Sequence, residues 1–158
     1  MKGYKTYSVS EATSRMERYC AYRERCHKEV IAKLREMRMI PQAIDQIVHH
    51  LITENYLNET RFAKAFARGK FRIKKWGRNR ITRELKIRDI SAYNIKLALK
   101  EIPDTEYLNT FHQLADKRWS DLERVANTQQ KKRKFFDYLT YRGWEQNLIW
   151  EKLTDLKS

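Results

Sequence analysis

The chain has 158 residues, of which 34 are basic and 20 acidic, so its formal net charge at pH 7 is +14 and its pI is near 9.9. A hydrophobic content of 41% excludes wholesale disorder. No apolar stretch approaches the ~20 residues needed to span a bilayer, and the first residues lack a signal-peptide core. We therefore expect a cytoplasmic protein with no membrane contact and an anionic partner.

The positive charge is concentrated in the middle of the chain. Residues 60–100 hold fourteen basic and two acidic residues, whereas residues 1–59 hold ten and eight, and residues 101–158 hold ten of each. A charge excess confined to one third of the sequence predicts a local binding surface and not a general solubility device.

Helix signals occur along the whole chain, while four glycines and two prolines leave few tight turns for a sheet. In chain order the start and stop signals are Ser8 to Glu11, Pro41, Asn58, Ser91, Pro103 and Gly143. They predict about nine helices, with long helices over roughly 11–25, 58–75 and 104–120.

An internal repeat organises these helices. Residues 27–51, 76–102 and 131–156 align without internal gaps, and six apolar positions recur in all three blocks. The recurring positions are Val30, Ile81 and Phe135; Leu34, Leu85 and Leu139; Met39, Ile90 and Trp144; Ile44, Ile95 and Ile149; Val48, Leu99 and Leu153; and Leu51, Ile102 and Leu156. Each block therefore predicts a hairpin of two helices.

A longer helix before each hairpin completes a three-helix unit of about 50 residues, which is too small to bury a large core alone. We predict an all-α fold of three tandem three-helix, helix-turn-helix-like repeats that form a curved, elongated array. The expected boundaries are an N-terminal extension at 1–10 and repeats at 11–57, 58–103 and 104–158, the second of which is the basic one.

Basic residues line one face of the long helix in the second repeat. Lys64, Arg68, Arg72 and Lys75 follow helical spacing, and Arg78, Arg80, Arg83 and Lys86 continue the positive surface beyond it. Residues 68–88 contain a single acid, Glu84, which we expect to pair with Arg80 or Arg88. Self-repulsion among cations that lack acidic partners at i,i+4 favours a nucleic-acid or nucleoprotein surface over a solvated basic face.

The pair Trp76-Gly77 interrupts this basic stretch. We interpret it as a helix boundary at which Gly77 adopts the left-handed conformation and Trp76 packs into the junction.

No catalytic or metal-binding pattern stands out. The cysteines and histidines lack paired zinc-ligand spacings, and glycine-rich phosphate loops and nucleophile–histidine patterns are missing from the sequence. We therefore expect no enzymatic activity, no metal and no cofactor.

Three segments carry a family resemblance: TRFAKAFARGKF at 60–71, WGRNRITREL at 76–85 and KKRKFFDYLTYRGW at 131–144. Together with the three-repeat pattern, they closely resemble the RecX family of bacterial regulators of the RecA recombinase, over about residues 12–156. The family pattern matches here at Arg61, Lys134 and Arg142. Where the family commonly has paired acids before the Arg-Phe-Ala segment, this chain has Asn58-Glu59-Thr60.

The resemblance implies a regulator that lies in the groove of the RecA filament on single-stranded DNA and inhibits recombinase and ATPase activity in recombination, repair and the SOS response. We expect a monomer, and we leave double-stranded DNA open as a further partner. The alternative is a helical module that binds DNA or RNA directly. The candidate contact residues are Arg61, Lys64, Arg68, Arg72, Lys74, Lys75, Arg78, Arg80, Arg83, Lys86, Lys134 and Arg142.

Overall fold

The structure, a computed structural model, describes residues 5–157. This part of the chain contains nine α-helices and no strand. The helices are α1 Val9–Tyr22, α2 His27–Glu36, α3 Pro41–Thr53, α4 Glu59–Lys74, α5 Arg78–Ile87, α6 Ala92–Leu99, α7 Asp104–Asp121, α8 Thr128–Tyr141 and α9 Gln146–Lys157. The predicted all-α fold of three tandem three-helix repeats is confirmed.

Most predicted helix starts are confirmed at the level of single hydrogen bonds. Ser8 and Glu11 form a reciprocal capping box in which both hydrogen bonds measure 3.1 Å. The side chains of Asn58 and Ser91 cap α4 and α6 by accepting backbone N–H groups at 2.9 and 3.2 Å. Helix α1 starts at Val9 and ends at Tyr22, three residues short of its predicted end, where the connection to α2 begins.

The hairpin turns of the three repeats have the same geometry. Arg38, Asp89 and Gly143 occupy equivalent positions and have positive φ values of 63°, 60° and 93°. In each turn the following residue donates its backbone N–H to a carbonyl five residues earlier, at 3.0–3.1 Å. This is a Schellman-type helix end, and its recurrence shows that the sequence repeat is also a structural repeat.

Two hydrophobic cores lie along the array. The first is formed within the first repeat, around Met16, Val30, Leu34 and Leu51. The second runs without interruption through the second and third repeats, and Cys26 from the first repeat is also part of it. The second and third repeats therefore share one core, as expected for units too small to bury a core alone.

A polar joint connects the first repeat to the second. The Arg61 Nε group on α4 donates to both carboxylate oxygens of Glu24, at 2.7 and 2.6 Å. Its other two nitrogens donate to the Asn55 side chain and to the carbonyls of Asn55 and Tyr56. Lys28 adds a hydrogen bond from Nζ to the Ile87 carbonyl at 2.9 Å. Directional charged contacts thus fix the orientation of this joint.

The second and third repeats meet where the backbones of Gly77 and Gly143 approach each other. Gly77 N donates to the Arg142 carbonyl at 2.8 Å, and Asn79 N donates to the Gly143 carbonyl at 2.9 Å. A Cβ atom on Gly77 would lie 2.4 Å from the Gly143 oxygen, and one on Gly143 would lie 2.3 Å from the Arg80 backbone nitrogen. Glycine at both positions is therefore required by close packing between repeats.

The predicted role of Gly77 in ending α4 is wrong. Lys75 is the left-handed residue, with φ 59°, and it caps the C-terminus of α4. Gly77 has an extended conformation, with φ −81°, and serves as the N-cap residue of α5. The helix boundary itself was predicted correctly, and Trp76 packs into the junction, with its ring centroid 6.2 Å from that of Phe66.

We expect Gly143→Ala to lower the free energy of unfolding by about 2–4 kcal/mol, because the new methyl group meets Arg80 and the left-handed conformation disfavours alanine. Urea denaturation monitored by circular dichroism measures this change. Gly69→Ala in α4 is the matched control, since its Cβ would meet no atom within 4 Å. Equal stabilities of the two variants would contradict the role of the glycine contact.

Candidate functional site

The basic face of α4 has acidic partners in later segments of the chain. Arg68 Nη1 lies 2.8 Å from a carboxylate oxygen of Glu101, and Arg72 Nε lies 3.3 Å from one of Glu106. Arg68 and Arg72 therefore have acidic partners that the local spacing of charges does not reveal. The partners lie about 33 residues away in sequence, and the packing of the repeats brings them alongside α4.

Arg78 is also neutralised within the chain. Its guanidinium group contacts Asp104 at 2.8 Å and Glu145 at 3.1 Å, and it lies 3.8 Å from the centre of the Tyr107 ring. Arg78 thereby joins the start of α5 to the first residue of α7 and to the residue that precedes α9, a structural role in which two acids balance its charge.

Tyr107 lies buried at the centre of this joint. Its hydroxyl oxygen accepts a hydrogen bond from the Arg78 backbone N–H at 2.9 Å and donates to Glu145. Burial, and then the hydrogen bond to Glu145, raise the pKa of the Tyr107 hydroxyl. The hydroxyl therefore stays protonated and keeps its role as a donor at neutral pH.

Arg142 and Trp144 connect the third repeat to the end of α4. Arg142 Nη1 donates to the Lys74 carbonyl at 3.0 Å, and Trp144 Nε1 donates to the Lys75 carbonyl at 3.2 Å. The Arg142 guanidinium group also lies 4.6 Å from the centre of the Tyr138 ring. The Arg-Gly-Trp turn thus positions two surface lysines, Lys74 and Lys75, beside the third repeat.

An open groove of about 430 Å³ separates α5 from α8 and is lined by Arg80, Arg83, Glu84, Thr140 and Tyr141. The Arg80 guanidinium group lies between two rings, 4.2 Å from the centre of Trp76 and 4.7 Å from that of Tyr141. The Tyr141 side chain is 71% exposed. The groove therefore presents an accessible aromatic ring beside the Arg80 guanidinium group, with Arg83 in the same lining.

The candidate residues fall into two groups within the described part of the chain. Four of them form intramolecular ion pairs: Arg61, Arg68, Arg72 and Arg78. Eight form no ion pair: Lys64, Lys74, Lys75, Arg80, Arg83, Lys86, Lys134 and Arg142. The expected pairing of Glu84 is confirmed with Arg88, at 3.0 Å.

Five of these eight cations surround the meeting point of the second and third repeats. We call this region the joint surface and define it by Lys74, Lys75, Arg80, Arg83, Arg142 and Tyr141. Lys86 follows Arg83 by about one turn of α5, and Lys134 precedes Tyr141 by about two turns of α8. Lys64 is separated from Lys74 by about 15 Å along α4, as the rise of an α-helix gives for ten residues, and so lies apart from the joint surface.

The sequence did not reveal Tyr141 as a member of this surface. Its exposure and its contact with Arg80 depend on how α8 packs against α5, and this packing cannot be predicted from the spacing of neighbouring residues in the sequence. Its place directly before the Arg142-Gly143-Trp144 turn was the available signal, because that turn forms the joint.

Residues 5–157 lack both a membrane-spanning helix and a cluster of metal-binding side chains. No helix in this range is long and apolar enough to cross a membrane. Nor does this range contain three or more His, Cys, Asp or Glu side chains grouped so that they could hold a metal ion.

Comparison with known proteins identifies relatives of the second and third repeats. Residues 58–99 match the family model for the second three-helix domain of RecX, and residues 104–153 match that for the third. A regulatory protein RecX from Lactobacillus gasseri is 29% identical over 143 residues, which cover 85% of this chain and 51% of the relative. One from Clostridioides difficile is 30% identical over 116 residues, covering 72% of this chain and 53% of the relative. This chain spans about half the length of these relatives.

A solved structure shows the same fold. The crystal structure of RecX from Lactobacillus salivarius superimposes with a TM-score of 0.80 at 22% identity, covering 94% of this chain and 96% of that one. The ranges matched by the two family models together cover more than half of this chain. This chain therefore belongs to the RecX family.

Proposed function

We propose that this chain is a non-enzymatic regulator that binds the filament of the RecA recombinase on single-stranded DNA and inhibits strand exchange and ATP hydrolysis. In this proposal it acts as a cytoplasmic monomer in DNA recombination, repair and the SOS response. The names of its relatives, which are regulatory proteins, support a regulatory role.

The observation that carries the proposal is the joint surface. After the internal ion pairs are counted, Lys74, Lys75, Arg80, Arg83 and Arg142 still lack an acidic partner among the described residues. Cations held side by side repel one another, and an anionic partner relieves that repulsion. Both the phosphates of DNA and the acidic side chains of a protein filament meet this requirement.

The exposed ring of Tyr141 favours a second candidate function, direct binding of single-stranded nucleic acid. An aromatic ring beside cations is the usual platform for an unpaired base. This candidate differs from the first in one respect: it does not require the recombinase.

The deciding experiment measures single-stranded-DNA-dependent ATP hydrolysis by purified RecA while this chain is added well below one copy per recombinase. Inhibition at that ratio supports a filament regulator that blocks growth or promotes disassembly. Unchanged hydrolysis, together with tight binding to bare single-stranded DNA, would establish the direct nucleic-acid module instead.

We expect the triple variant Lys74→Glu/Arg83→Glu/Lys86→Glu to raise the concentration needed for half-inhibition about tenfold or more. Each exposed charge contact contributes up to about 1 kcal/mol, and reversal adds repulsion. Each of the three side chains is exposed and unpaired, so we expect the stability of the fold to change little. The same ATPase titration gives the result.

The matched control is Arg35→Glu/Lys117→Glu/Arg124→Glu, which changes the net charge equally at exposed positions on other helices or loops. We expect it to inhibit nearly as well as the unmodified chain. Equal loss of inhibition in both triple variants would show that total charge, and not the position of the cations at and beside the joint surface, determines binding.

We expect Tyr141→Ala to weaken binding to a fluorescent single-stranded oligonucleotide by about 5- to 150-fold, because stacking on an aromatic side chain contributes about 1–3 kcal/mol per base. Tyr141→Phe should bind normally, since it keeps the ring. Tyr93→Ala is the control, because Tyr93 is 70% exposed on α6, away from the joint surface. Normal binding by Tyr141→Ala in an anisotropy titration would remove the ring from the interface.

A further inference from the structure

A second open groove, of about 310 Å³, lies between α4 and the connection from α1 to α2. Its lining comprises Arg23, Glu24, Phe62, Ala65, Phe66, Gly69, Lys70, Ile73 and Lys74. Lys74 also belongs to the joint surface, so the two regions are continuous along α4.

Gly69 lies in the interior of α4, where the fold of this chain gives no reason for glycine. A Cβ atom at this position would meet no atom within 4 Å, and alanine is more favourable than glycine inside a helix. This contrasts with Gly77 and Gly143, where a Cβ atom would collide with the backbone. The bare backbone of Gly69 permits a close approach from outside the chain.

Ala65, Gly69 and Ile73 follow one another at intervals of four residues and form an apolar strip along α4. Ile73 is 77% exposed, more than any other large aliphatic side chain of the described residues. Phe62 and Phe66 continue the apolar lining on the other side. A strip of this kind fits an aliphatic or aromatic side chain of a protein better than it fits phosphate.

The edges of the groove are positive, because Lys70 and Lys74 have no acidic partner among the described residues. The Lys70 ammonium group lies 5.5 Å from the centre of the Phe66 ring, and Arg23, 62% exposed, pairs with Glu29 at 3.5 Å. Glu24, the acid in the lining, is neutralised by Arg61 at 2.6 Å. An apolar strip bordered by cations is complementary to a segment that carries an apolar side chain next to acidic ones.

We propose that this groove binds a protein segment in which an exposed apolar side chain is flanked by Asp or Glu, and that Gly69 allows this segment to lie close to α4. The inference rests on the proposed function, since it makes the recombinase filament the source of the segment. The groove then supplies the protein contact, while the joint surface faces the phosphates.

The test uses Gly69→Leu in the full chain, with RecA on single-stranded DNA and the same DNA alone as the two probes. The leucine side chain fills the groove, so we expect at least a tenfold higher concentration for half-inhibition of ATP hydrolysis. Binding to bare DNA should stay within about twofold, and the melting temperature should not fall, because leucine favours the helix over glycine. Ala32→Leu is the matched control, since it adds the same side chain at an exposed position of α2.

Each outcome tests either the proposed groove contact or the regulatory function. Full inhibition by Gly69→Leu overturns the proposed groove contact while leaving the regulatory function intact. An equal loss of binding to bare DNA shows that nucleic acid occupies the groove, which also overturns the proposal. Absence of inhibition by the unmodified chain refutes the regulatory function itself and, with it, the recombinase as the source of the segment.

Discussion

The contact between Gly77 and Gly143 determines how the basic half of this molecule is assembled. Two glycines without side chains let the start of α5 approach the α8–α9 turn closely enough for direct backbone hydrogen bonds. Trp144 and Arg142 then reach the last carbonyls of α4, and Arg78 reaches the third repeat. The shared core and the arrangement of the surface cations both follow from this single approach.

The chain uses part of its positive charge for its own architecture. Arg61 and Arg78 each bind acids on a neighbouring repeat, and Arg68 and Arg72 pair with acids that follow the basic segment in sequence. Such exposed pairs contribute little stability individually, but they fix the orientation of side chains at both joints. What remains is a smaller and better defined set of cations than the sequence alone indicates.

Much of the fold could be predicted because the spacing of apolar residues and the helix-capping residues indicate the repeat directly. The aligned residues Ile81 and Phe135 are both fully buried, and Asn58 caps α4 as expected. The site could be predicted less completely, since ion pairs such as Arg68–Glu101 join distant segments. The prediction for Gly77 was wrong for the same reason. Its conformation is constrained by Gly143, which is 66 residues away, and the residues next to Gly77 in sequence do not indicate that contact.

The two joints also differ in bending stiffness. Between the second and third repeats the core is continuous, so a change of angle there would open apolar packing. Between the first and second repeats the contacts are mainly polar, centred on Arg61 and Glu24, with Cys26 as the buried first-repeat side chain that reaches the larger core. Water can replace polar contacts at lower free-energy cost than it can replace a packed core. The angle between the first and second repeats can therefore change at lower free-energy cost than the angle between the second and third, which share one packed core.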